Sequence, residues 1–376
     1  MTTASARYRA NWQGRLLGMV AATLAVFGVA AVYGASSIVA VQSGEPGSAF
    51  ALRQLTGVIV AGVGLSIAAR VDYHVWARLA WPMMLATIAV LTLPYLPGLR
   101  GLTPEINGAR RWLDLGLVRA QPSEFAKFAV VVWAAMLAAK KEDAIREFKR
   151  GVLPFLVIGV PVCLLILFQP NLSTAVLTAL LLGIVMFTAG ARIGHFLLLM
   201  LAAIPVVWHE LVTVQYRVAR MVTFLSPGAE ASESNWQIQQ SLVGIGSGRL
   251  FGVGFGEGLQ KLGYLPYAYS DFVFSTIGEE WGFVGSALVI LLFGLYIWMG
   301  FRIAREAPDR FGLLLATGLT ALVGVTAIVH IAVTLALIPT TGLPLPFVAY
   351  GRSNLVVSLV ATGVLINVGR AGAAAR

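Results

Sequence analysis

Apolar runs long enough to cross a bilayer recur along almost the whole of this 376-residue chain, and that repetition constrains its fold more than any single residue. A hydrocarbon core of roughly 30 Å needs about 20 apolar residues in helical form. Reading the runs between charges and Gly/Pro breaks predicts spans near 16–36, 54–70, 79–96, 122–139, 152–168, 173–190, 195–209, 272–300, 311–336 and 347–369. The expectation is an all-α integral membrane protein of about ten transmembrane helices, with residues 1–376 forming a single polytopic membrane domain. Only 12% of residues are charged, against about 25% in soluble domains, so water is not the main solvent. No soluble catalytic domain is visible in the pattern.

A net charge of +10 raises a nucleic-acid reading, and the placement of the cations decides against it. They gather at Arg7, Arg9 and Arg15, at Arg70 and Arg78, at Lys140, Lys141, Arg146, Lys149 and Arg150, at Arg302, Arg305 and Arg310, and at the C-terminus. These are alternate loops, as the positive-inside rule requires, so both termini are expected in the cytoplasm. The first apolar run follows a basic start but is too long for the core of a signal peptide, and a retained signal-anchor helix is the expectation. Cys163, the only cysteine, sits in an apolar run and supports neither a disulfide nor a cysteine metal site.

The same parity places outside a first loop, 97–121, and a large extracytoplasmic loop between helices 7 and 8, 210–271. Loops of that length are uncommon unless they are functional. The larger carries Glu230, Glu233, Gln237, Gln239 and Gln240, then the glycine-dense run GIGSGRLFGVGFGEG. Its interleaved Leu, Phe and Val argue for packing rather than for a mobile linker.

Ionisable residues at membrane depth are costly, and each is a functional hypothesis by default. In NGARRWLDLGLVRAQPSEFAKF, residues 107–128, Pro122 and Glu124 suit a helix start. Glu124 and Lys127 share a helix face, with Arg119 just above and Trp112 at the interface. A site for an anionic lipid headgroup and a structural ion pair with snorkelling side chains are both open readings. In YSDFVFSTIGEEWG, residues 269–282, Asp271 lies where the large loop re-enters the membrane beside Tyr269, Phe272 and Phe274. It is either a helix cap or a partly desolvated general base. Glu279 and Glu280, two turns deeper, fit a buried polar network. In PTTGLPLPFVAYGRSN, residues 339–354, the prolines and glycines forbid a continuous helix, and irregular backbone at that depth needs protein or a water-filled cavity around it.

These stretches together resemble the SEDS family (shape, elongation, division and sporulation), and its FtsW branch more than its RodA branch. The resemblance rests on NGARRWLDLG with QPSEFAK, YRVARMVTFLSP, QIQQSLVGIGSGRLFGVGFGEGLQKLGYLP, SDFVFSTIGEE and LPFVAYG, in that order along the chain. It implies ten spans with both termini inside and a glycosyltransferase that polymerises lipid II at the outer face of the bacterial cytoplasmic membrane. For an FtsW-like chain the implied setting is septal cell-wall synthesis, with a class B penicillin-binding protein resembling FtsI and other division-complex proteins as partners.

Carried over by motif, Asp271 matches the family's catalytic aspartate. Trp112, Arg119, Glu124, Lys127, Arg217, Arg220, Gln240 and Lys261 match substrate-binding positions, and Glu279, Glu280, Tyr350, Gly351 and Ser353 a polar network. The chain departs from the family at Asn171, Tyr267, the YS of YSD, His330, Arg352 and Asn354. Arg352 offers either a phosphate contact or a partner for a glutamate such as Glu280. A divalent cation would suit a pyrophosphate, yet no compact carboxylate cluster announces one, and no other cofactor is implied. Two further readings stand beside the enzyme: a lipid II flippase or other lipid transporter, and a non-catalytic scaffold for the penicillin-binding protein.

Overall fold

The computed structural model describes residues 12–375 apart from 97, 99–100, 107, 115, 117–118 and 226–232, so Arg7, Arg9 and Glu230 lie outside the described residues. The chain forms α1 (Trp12–Gln42), α2 (Ala49–Arg70), α3 (His74–Thr92), a hairpin of two short strands, β1 (Leu113–Asp114) and β2 (Arg119–Ala120), then α4 (Pro122–Lys141), α5 (Leu153–Leu167), α6 (Leu172–Thr188) and α7 (Ile193–Val212). Within the large loop come α8 (Gln215–Leu225) and α9 (Glu233–Ser247), followed by α10 (Val273–Arg305), α11 (Arg310–Thr334) and α12 (Arg352–Ala374). Among the described residues, nine helices are long and apolar enough to cross a membrane. The tenth apolar helix, α6, has 17 residues and reaches about 26 Å, slightly short of a full hydrocarbon core.

Local chemistry sets several helix ends. Pro122 opens α4, where its missing N–H costs nothing. Asn171 caps α6 by accepting from the Thr174 amide, and Asp309 caps α11 by accepting from the Gly312 amide at 2.8 Å. The last span starts at Arg352 rather than near 347, because Gly342, Pro344, Pro346 and a left-handed Phe347 (φ 66) hold 339–351 out of helix. That irregular segment is enclosed by protein. Leu345, Phe347 and Val348 are fully buried, Phe347 stacks near Phe293 and Tyr296, and Gly28 of α1 leaves room for its backbone. Its carbonyls find donors, Ala349 from Gln54 at 3.1 Å, with His330 Nδ1 2.8 Å from that of Leu343.

The best buried spans are α4, α11 and α12, while α7 has no buried residue and lies at the periphery. One end of the bundle gathers the ends of α1, α2, α4, α6, α10 and α12. Gln13 bonds Glu306, Arg302 lies over Trp12, the Tyr73 amide bonds Asn367, and Arg310 reaches the carbonyls of Glu142 and Ala189. The opposite end carries the hairpin, the large loop and the irregular segment.

The glycine-dense run docks on α10. That helix breaks at Gly282 (φ 65, ψ −159), and Phe283 and Val284 donate to the carbonyls of Arg249 and Leu250 instead of to their own preceding turn. The carbonyls thereby freed, Glu279 and Glu280, accept from Val253 and Gly254 at 2.9 and 3.3 Å. Two helical bonds are exchanged for four between loop and helix, so the amides of Phe283 and Val284 and the carbonyls of Glu279 and Glu280 are all paired. The predicted structured loop is therefore a wedge of backbone against backbone.

Candidate active site

Asp271 stands at the head of α10, half-buried, on a turn closed by its own amide donating to the Tyr267 carbonyl at 2.9 Å. It does not cap α10 with its side chain, since Phe272 is the residue before the helix and no capping bond forms there. Burial pushes the Asp271 carboxyl above the usual value of 3.8, opposed by a hydrogen bond from Ser270 and by the charges of Arg111 and Arg220. The irregular segment borders the site. Arg220 donates to the Thr340 carbonyl at 3.3 Å, and a methyl group placed on Gly342 would lie 3.6 Å from Asp271 Oδ2. Gly342 (φ 69) thus brings bare backbone to the carboxylate. Tyr269, Tyr350 and Phe50 form an aromatic trio beside it, with centroids 4.9–5.7 Å apart. Segments far apart in sequence, the first loop, the large loop and 339–354, meet at this carboxylate.

Arg111 is the residue that motif reading passed over. In the ARRW run its neighbour Arg110 turns to Glu105 and the Thr103 carbonyl, while the charge of Arg111 acts on Asp271 and its Nε is buried with no hydrogen-bond acceptor among the described residues. Two adjacent arginines look alike in a sequence, and their spacing does not say which of them acts on Asp271. Thr340, whose buried hydroxyl also lacks a partner among the described residues, carried no signal either.

The other predicted residues fall into separate settings. Arg119 is exposed and bound to Asp114 at 2.8 Å across the hairpin, and Trp112 is half-buried just before it. Glu124 and Lys127 form an ion pair of 2.9 Å whose side chains are 3% and 1% exposed. Both therefore face the interior, and no lipid headgroup reaches Lys127 in this arrangement. Arg217 is buried against Glu210, and Gln240 is half-buried on α9. Lys261 is 7% exposed and lies 3.6 Å from Glu280, beneath the glycine-dense run. Glu279 accepts from the amides of Leu259 and Gln260. Ser353 accepts from the Gln121 amide at 2.9 Å and ties α12 to the start of α4, Gly351 precedes α12, and the Tyr350 amide donates to Tyr269. Arg352 pairs with no carboxylate among the described residues, since Glu280 takes Lys261, and its stem packs on Gly57 of α2. Among the described residues no three His, Cys, Asp or Glu side chains are grouped to hold a metal ion.

The buried pair gives a direct expectation. Lys127→Met leaves Glu124 unpaired inside the bundle and should lower stability by about 3–5 kcal/mol, whereas Glu124→Gln with Lys127→Met should recover most of it. Thermal unfolding in detergent reads this, and equal loss in single and double variants would show that the pair is not what holds these residues.

Fold and site together define a polytopic helical membrane protein with a cation-flanked, half-buried carboxylate at one end of its bundle. The chain belongs to the cell cycle protein family of FtsW, RodA and SpoVE, whose model matches residues 14–373. It is 40% identical over 353 residues to the probable peptidoglycan glycosyltransferase FtsW of Trichlorobacter lovleyi, covering 94% of this chain and 92% of that one. It is 36% identical over 355 residues to the stage V sporulation protein E of Bacillus subtilis, covering 94% and 96%. Among solved structures it resembles a chain of a peptidoglycan synthase complex that coordinates polymerization and crosslinking, with TM-score 0.76 and 26% identity over 94% of this chain and 96% of that one. The rod shape determining protein RodA of Thermus thermophilus aligns with TM-score 0.69 and 26% identity, over 94% and 95%.

Proposed function

We propose that this chain is a peptidoglycan glycosyltransferase of the bacterial inner membrane that polymerises lipid II into glycan strands for the septal wall during division. The observation that carries the reading is Asp271, a half-buried carboxylate flanked by Arg111 and Arg220 and faced by the bare backbone of Gly342. Its carboxylate takes the proton from the 4-hydroxyl of the acceptor sugar. That oxygen attacks the anomeric carbon of the donor, the bond to undecaprenyl pyrophosphate breaks, and attack opposite the leaving group inverts the linkage from α to β. Arg111 and Arg220 stabilise the charge growing on the departing pyrophosphate, a preorganised electrostatic role. The basic loops face the cytoplasm, so Asp271 works at the outer face. A class B penicillin-binding protein of the FtsI kind, within the division complex, crosslinks the product. Likeness to a chain of a synthase complex supports such a partner.

The test is to purify the protein with its partner, supply lipid II and look for glycan strands. A wild-type protein that moves lipid II across vesicles without forming polymer would favour the transporter, and one that does neither while supporting crosslinking would favour the scaffold. The pH dependence gives a second check. A base must be ionised, and burial holds Asp271 above 3.8, so the rate should fall toward acid with a midpoint above that value. Arg220→Gln removes a charge that lowers this pKa and should move the limb to higher pH, with Arg111 and Ser270 still opposing it. An acid limb that does not move would detach Arg220 from the base.

A further inference from the structure

Lys261 and Glu280 form a pair whose charges are both buried, at 7% and 1% exposure. Lys261 Nζ lies 3.6 Å from Glu280 Oε1 and donates to the Gly256 carbonyl, so both of these contacts are within the protein. Glu280 is enclosed from the other side by α1, where Gly34 comes so close that an added methyl group would sit 2.5 Å from Oε2. The Gly256 amide and the Lys261 ammonium are the groups that meet the Glu280 carboxylate. Its charge is thus compensated by one backbone amide and by Lys261, its only cationic partner among the described residues, while the adjacent Glu279 is satisfied by the amides of Leu259 and Gln260 at 2.8 and 3.3 Å.

The anchor is connected to Asp271 by a short, fully turned stretch of chain. The Leu265 amide donates to the Gln260 carbonyl at 3.1 Å, Tyr267 takes a left-handed conformation (φ 56), and the Asp271 amide returns to Tyr267. Leu265, Ala268 and Phe272 pack in one cluster with Ala35 of α1 and Val333 of α11. Residues 259–271 are therefore held at one end by charge and at the other by apolar packing, with Asp271 at the packed end. We infer that Lys261 and Glu280 are positioning residues: their ion pair fixes the 259–271 stretch on α10 and so sets the place of the Asp271 carboxylate. This assignment rests on the reading of Asp271 as the base, and it replaces substrate contact as the role of Lys261.

Breaking one partner leaves an uncompensated buried charge, whereas removing both leaves a neutral pair of similar volume. In the complex with its penicillin-binding partner, Lys261→Met and Glu280→Gln should each lower kcat for lipid II polymerisation by about tenfold or more while KM stays within about twofold. The double variant Lys261→Met with Glu280→Gln should return kcat to within about threefold of wild type. Because the double variant carries no unpaired charge, it keeps the test usable where a single variant fails to fold. A raised KM with unchanged kcat, or a double variant as impaired as Lys261→Met, would overturn the inference and return Lys261 to the substrate. An Asp271→Asn control separates the two layers: normal polymerisation by that control removes the base, and a dead control beside an unaffected Lys261→Met removes only the latch.

Discussion

Asp271→Asn should stop glycan polymerisation while the protein remains folded and still binds lipid II. The substitution keeps the shape of the side chain and a polar group for Ser270, and removes only the capacity to accept a proton. General base catalysis is worth about 10²–10⁴-fold, so loss of the base adds about 2.7–5.4 kcal/mol to the barrier. Stability should move the other way. The folded-state pKa of Asp271 is raised by burial, so ionisation opposes folding; that penalty is present above the folded pKa and fades as pH falls toward 3.8. At neutral pH the neutral amide escapes it, and the variant should unfold at the wild-type temperature or slightly above. A gel of lipid-linked glycan strands, a lipid II binding measurement and a thermal melt decide the matter. Polymer at the normal rate from Asp271→Asn would sink the proposed base, and loss of binding with loss of rate would recast Asp271 as a substrate contact. Such a group, costly to the fold and useful to the reaction, is the compromise expected at an active site.

The spans were legible because the bilayer imposes a length and an apolar composition that single-sequence reading detects directly, as for α4 and α11. Their boundaries were less so. The helix α1 continues to Gln42 past its apolar run because Ser36 returns its hydroxyl to the Val32 carbonyl at 2.6 Å, satisfying a polar group that hydropathy counts against a span. The chemistry of the site was legible as residue types: Asp271 between aromatic rings, cations in the two long loops, irregular backbone over 339–354. Direction was not. Sequence spacing puts Arg119 on the favoured side of Glu124 and Lys127, but the hairpin turns it outward to Asp114. Spacing also joins Glu124 to Lys127 correctly at i, i+3, yet it cannot say that the pair faces inward and is sealed. Contacts between residues more than a hundred positions apart, such as Arg220 with Thr340 or Ser353 with Gln121, carry no periodic signature at all.

The same limit hid the role of the glycines, which composition marks only as flexible. Gly282 adopts φ 65, ψ −159, a conformation open essentially to glycine alone, and an added methyl group there would lie 2.3 Å from the Gly252 nitrogen. Gly252 (φ 85) is the reciprocal contact, its absent side chain leaving room for the Glu280 carbonyl. Gly282→Ala therefore cannot be accommodated by rotating a side chain; backbone must separate from backbone. Strain in that region costs about 1–3 kcal/mol, and opening the four bonds between loop and helix at membrane depth adds to it. The variant should lose more than about 3 kcal/mol of stability and should expose residues 248–258 to protease. Gly246, one turn before the wedge and with nothing within 4 Å of an added methyl group, is the matched control. Gly246→Ala in helix α9 should leave proteolysis unchanged and raise stability by roughly 0.5–1 kcal/mol. If Gly282→Ala instead melts and resists protease like wild type, the loop is not wedged into the break in α10, and the path from Lys261 through Glu280 to Asp271 loses its footing.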